Sequence, residues 1–89
     1  MNSGKIIFAY QDIEEYELAI ADYNRAIELE PNNIGTYSNR GNAYNKLGEY
    51  ELAIADQTQA IDLSPDFATA YNNRGFAYYT LGEYEASIA

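Results

Sequence analysis

The sequence predicts an all-α protein made of repeated helical hairpins, on three observations. One step of 34 residues links many residue types at once. It relates Tyr16, Tyr50 and Tyr84; Tyr10, Tyr44 and Tyr78; Ala19, Ala53 and Ser87; Gly41 and Gly75; Gly48 and Gly82; Pro31 and Pro65. Within one period, apolar and small residues recur at spacings of three and four, the signature of a helical face. No stretch sustains the alternation that a half-buried strand requires.

The central copy justifies its two helices most clearly. Tyr37, Gly41, Tyr44 and Leu47 form the stripe of a helix over 34–47, and Gly48 supplies a permissive stop. Tyr50, Ala53, Ile54, Gln57, Ala60 and Ile61 form the stripe of a second helix over 49–63. Ser64-Pro65 ends it, because proline lacks the next backbone donor and biases the preceding residue away from helix. The first copy predicts helices over 3–13 and 15–29. Its opening turn is worn, with Ile7 at the place of Gly41 and Glu14 at the place of Gly48. The third copy predicts a first helix over 67–81, followed after Gly82 by only the beginning of its partner. Gly41 and Ala53 are expected where the two antiparallel helices cross most closely.

Composition excludes several function classes. Fourteen acidic and five basic residues give a net charge of −9, so this is an acidic protein without the basic footprint that nucleic acid or an anionic membrane demands. Cysteine and histidine are both absent, which removes disulfides, thiolate chemistry, the commonest general base and the commonest metal ligand. Glu14, Glu15 and Glu17, like Glu49 with Glu51 and Glu83 with Glu85, are clustered, but each set falls at an expected helix start, where anions complement the dipole. No catalytic constellation and no glycine-rich phosphate loop is present, so no enzyme activity, cofactor or metal is expected. No apolar run approaches membrane-spanning length. The opening "MNSGKIIFAY" is too brief for a signal-peptide apolar region, and a cytoplasmic location is the expectation.

A 34-residue helix–turn–helix carrying Tyr37, Gly41, Tyr44, Gly48, Tyr50, Ala53, Ala60 and Pro65 at these offsets resembles the tetratricopeptide repeat (TPR), in the style of bacterial tandem arrays. The resemblance covers nearly the whole chain. It implies a right-handed α–α superhelical solenoid and a single domain over 1–89, with repeats at about 1–33, 34–67 and 68–89, the last truncated in its second helix. Arg40 and Arg74 stand where the family usually has Leu, and Gln57 where an aromatic is usual. An arginine in a packed seam must be paired, so each of the two is expected to bridge to Asp22 or Asp56.

The resemblance also implies a function, non-enzymatic binding of a protein or peptide in a concave groove lined by the first helices. Lys5, Arg40, Lys46 and Arg74 lie on those helices, which suggests a neutral-to-basic groove on an acidic body. The groove positions are Ser38, Asn39, Asn42, Asn45, Lys46, Thr69, Asn72, Asn73, Phe76, Tyr79 and Thr80. They are either a ligand seat or simply the exposed face of these helices. A clamp for the terminal carboxylate of chaperones is not expected, because the bases it needs fall on Gly4, Thr69 and Asn73. Finally, an incomplete third hairpin leaves an uncapped end. Either the chain is a piece of a longer array, or copies stack or exchange helices into homo-oligomers.

Overall fold

The computed structural model describes the backbone of residues 3–88 and the side-chain surroundings of residues 12–83. Four helices follow one another: α1 Ser3–Leu29, α2 Ile34–Lys46, α3 Tyr50–Leu63 and α4 Ala68–Ile88. Helices α1 and α2, α2 and α3, and α3 and α4 pack as sequential neighbours, and α2 also reaches α4. The arrangement is the all-helical repeat expected from the 34-residue period.

The central hairpin forms as the sequence predicts. Asn33 caps α2 by accepting a hydrogen bond from the Thr36 backbone N–H at 3.1 Å. At the other end, Gly48 takes a φ of 78°, the left-handed region that glycine enters without a Cβ penalty. The Gly48 and Glu49 N–H groups then return to the carbonyls of Asn45 and Tyr44, at 3.1 and 2.9 Å. This paired closure satisfies carbonyls that the helix end leaves open. The two prolines also act in register. Tyr37 donates its hydroxyl to the Pro31 carbonyl at 2.9 Å, and Tyr71 does the same to Pro65 at 3.0 Å.

Alanines line the seams. Ala43, Ala53, Ala60, Ala70 and Ala77 are the buried apolar residues among those described, and the largest fully buried side chain is Gln57. Small residues let helix axes approach, which places Gly41 directly against α3. A Cβ built on Gly41 would come within 2.5 Å of Gln57 Nε2 and 3.1 Å of Asp56 Cβ. The close crossing therefore lies at Gly41 against Asp56 and Gln57, with Ala53 buried nearby.

Two expected turns do not form. Helix α1 runs through Glu14, and α4 runs through Gly82, so the hairpins expected over 3–29 and after 81 are single rods. Glu14 has no glycine's freedom to enter the left-handed region, and leaving the helix there would cost about 1–2 kcal/mol. At Gly82 the freedom exists, yet no left-handed φ is taken there, and the helix runs on to Ile88.

Candidate functional site

The residues expected to line the groove separate into distinct environments. Asn42, Asn45, Lys46, Asn73 and Phe76 converge on one pocket of about 410 Å³ between α2 and α4. Ser38 does not join them, since it is buried at 3 % exposure and its carbonyl accepts from Gln57 Nε2 at 2.9 Å. Its place in the groove is therefore corrected: it belongs to the α2–α3 seam. Asn39, Thr69, Asn72 and Tyr79 are exposed, and half-buried Thr80 returns its hydroxyl to the Phe76 carbonyl at 2.8 Å; none of these lines the pocket.

Asn45 organises the pocket. It is 7 % exposed, and its Nδ2 donates to the Asn73 carbonyl at 3.2 Å, tying α2 to α4. That bond fixes which way the amide points, and it leaves Oδ1 buried with no donor among the described residues. A buried acceptor left unpaired costs about 1–3 kcal/mol. Phe76 supplies the apolar wall at 55 % exposure, steadied by an edge-to-face contact with Tyr50 at 6.5 Å.

The charge pattern is sharper than the sequence suggested. Among the described residues, Lys46 alone of the basic ones lines the pocket, and no acid does. Arg40 turns into the seam, where Nε and Nη2 donate to the two Asp56 oxygens at 2.8 and 2.7 Å and Nη1 donates to Asn24 at 2.8 Å. The hydrogen bonds it donates to Asp56 raise the Arg40 guanidinium above its ordinary pKa, so this charge is fixed. Arg74 donates from Nη1 to Thr58 at 3.1 Å, with no carboxylate partner among the described residues. The expected bridge thus forms for Arg40 and not for Arg74. Lys5 lies outside the residues whose side chains are described.

A second pocket, of about 510 Å³, went unrecognised in the sequence. Gly48, Glu49, Tyr50, Glu51, Leu52 and Leu81 line it, where the α2–α3 turn meets α4. No sequence signal announces it.

A 34-residue period, paired antiparallel helices, small residues at their crossings and a glycine-closed turn define an α-helical repeat protein. A family model for the TPR repeat matches residues 9–48 and 41–82. The chain belongs to the tetratricopeptide repeat family. No curated protein is matched by the sequence. TPR repeats are generally protein–protein interaction modules and typically non-enzymatic scaffolds. No helix among the described residues is long and apolar enough to cross a membrane.

Proposed function

We propose that this chain is a non-enzymatic module that docks a peptide or helix of a protein partner in the pocket between α2 and α4. The observation that carries this reading is the convergence, in one pocket, of the exposed Phe76 ring with Lys46 and the amides of Asn42 and Asn73. Asn45 shapes the pocket by tying α2 to α4, since its buried Oδ1 is out of a guest's reach. Phe76 offers surface to an apolar side chain, and Lys46 favours a neighbouring acid. Asn42 and Asn73 add further amide contacts at the rim. Binding here needs no covalent step and no cofactor.

The test is selection from a random peptide library, followed by calorimetric titration of a selected peptide. Peptides pairing an apolar side chain with an acid are expected. Phe76→Ala and Lys46→Glu should each weaken binding about tenfold, near 1.4 kcal/mol, whereas Asn39→Ala, outside the pocket, should change it little. Failure to select any peptide, or affinity indifferent to both pocket variants, would refute the reading.

A second reading, homo-oligomerisation through uncapped ends, has its own support. Both end helices run on past the points where a hairpin would fold back. Each therefore leaves a face that the repeat normally covers.

A further inference from the structure

Resting on that second reading, we propose that the face of α4 around Arg74 and Gly75 binds the Glu14–Leu29 half of α1 from a second copy of this chain, in the manner of the central hairpin. The central hairpin shows what such a pair looks like. On α2, Ser38, Arg40 and Gly41 meet Asp56 and Gln57 of α3, with Arg40 held bidentately by Asp56 at 2.7 and 2.8 Å. One period later, α4 carries Asn72, Arg74 and Gly75 at the same positions, and one period earlier, α1 carries Asp22 and Tyr23 at the positions of Asp56 and Gln57.

These two half-pairs are open in complementary ways. Gly41 is buried and a Cβ on it would collide with α3, while Gly75 is exposed with nothing within 4 Å of such a Cβ. Asp56 is 5 % exposed in the central pair, whereas Asp22 is exposed and makes no ion pair among the described residues. Arg74 is oriented by Thr58 at 3.1 Å and by the Tyr71 ring at 5.5 Å, just as Arg40 is by Asn24 and Tyr37. What Arg74 lacks is the carboxylate. The same chain thus holds an arginine without its acid on one helix and the matching acid without its arginine on another; the position one period before Arg40 is Ile6. In the register of the central pair, the two helices run antiparallel. The continuation of α4 past Gly82 then lies alongside the first half of the second copy's α1.

The partner surfaces are different, so each added copy leaves one of each free. Such a heterologous contact grows by addition unless it closes into a ring. Because the order within a copy is α1, α2, α3, α4, joining α4 to the next α1 continues the same alternation of helices across the junction.

Charge exchange tests the seat directly. Sedimentation velocity across a concentration series, at physiological ionic strength, should show the wild-type chain increasing in size. Arg74→Asp and Asp22→Arg should each weaken association on the order of a hundredfold, because like charges then face one another. An equimolar mixture of the two variants should assemble again, since each junction then joins opposite charges. Gly75→Leu, placed on an open glycine, should abolish assembly while leaving the helical circular dichroism intact and the melting temperature of the dilute monomer no lower. A wild-type chain that stays monomeric at every concentration would overturn both this pairing and the oligomer reading. Assembly that survives either single charge reversal, or that the mixture fails to restore, would overturn this pairing alone and put the contact elsewhere.

Discussion

Replacing Asp56 by alanine is expected to destabilise the chain by about 3 kcal/mol, the cost of leaving a partly buried charge without its partner. The Asp56 side chain is 7 % exposed and that of Arg40 20 %, so water reaches the guanidinium only in part. Asn24 would remain as one neutral acceptor for Nη1, at 2.8 Å, and would not replace the two carboxylate bonds. In a domain of this size, 1 kcal/mol moves the melting temperature by about 4–8 °C, so a loss of more than about 10 °C is expected by thermal circular dichroism. Asp56→Asn should be milder, since it keeps an acceptor while removing the charge. If alanine at 56 melts within a degree or two of wild type, the ion pair does not hold the α2–α3 seam.

Two glycines one period apart should answer the same substitution with opposite signs. Gly41→Ala places a methyl group within 2.5 Å of Gln57 Nε2 and 3.1 Å of Asp56 Cβ. The amide end can swing away, but only by giving up its 2.9 Å bond to the Ser38 carbonyl, and the Asp56 Cβ is part of the helix itself. Overpacking of this kind costs about 1–3 kcal/mol, partly offset by about 1 kcal/mol of helix propensity gained on leaving glycine. A net loss of about 1–2 kcal/mol is expected in chemical denaturation. Gly75→Ala meets nothing within 4 Å, so the propensity gain should stand alone in the dilute monomer. Equal effects at the two sites would mean that the close crossing at Gly41 is absent in solution.

Most of the fold was legible because the repeat states its constraints more than once. Gly48, Pro65 and the tyrosines fixed the boundaries of α2 and α3 to within a residue, and the Arg40–Asp56 pair followed from the cost of burying an unpaired charge. The ends were harder to read. A residue pattern specifies a turn, but the turn persists only if the returning helix buries enough surface to hold it. Glu14 removed the permissive residue from one turn, and at the other Gly82 does not use its freedom to enter the left-handed region. The helix therefore continued in both places.

The groove was legible in composition and less so in orientation. Asn42, Asn45, Lys46, Asn73 and Phe76, five of the expected groove positions, line one pocket. Ser38 faces the opposite seam because Gly41, three residues on, draws α3 close to that side of α2. The arginines read as groove charge face their neighbours instead. Their guanidinium groups find hydrogen-bond partners on the flanking helices before they reach solvent. The unpaired Oδ1 of Asn45 could not be foreseen from spacing, since it results from where its own Nδ2 is spent.

The open face of α4 depends on one local fact, the helical state of Gly82, and heteronuclear NMR in dilute solution reads it directly. Helical Cα shifts and sequential amide contacts running unbroken from Leu81 through Glu85 are expected. A left-handed Gly82, with contacts from the residues after it back to α4 around Gly75, would contradict the continuous rod and close the face that a second copy is proposed to fill.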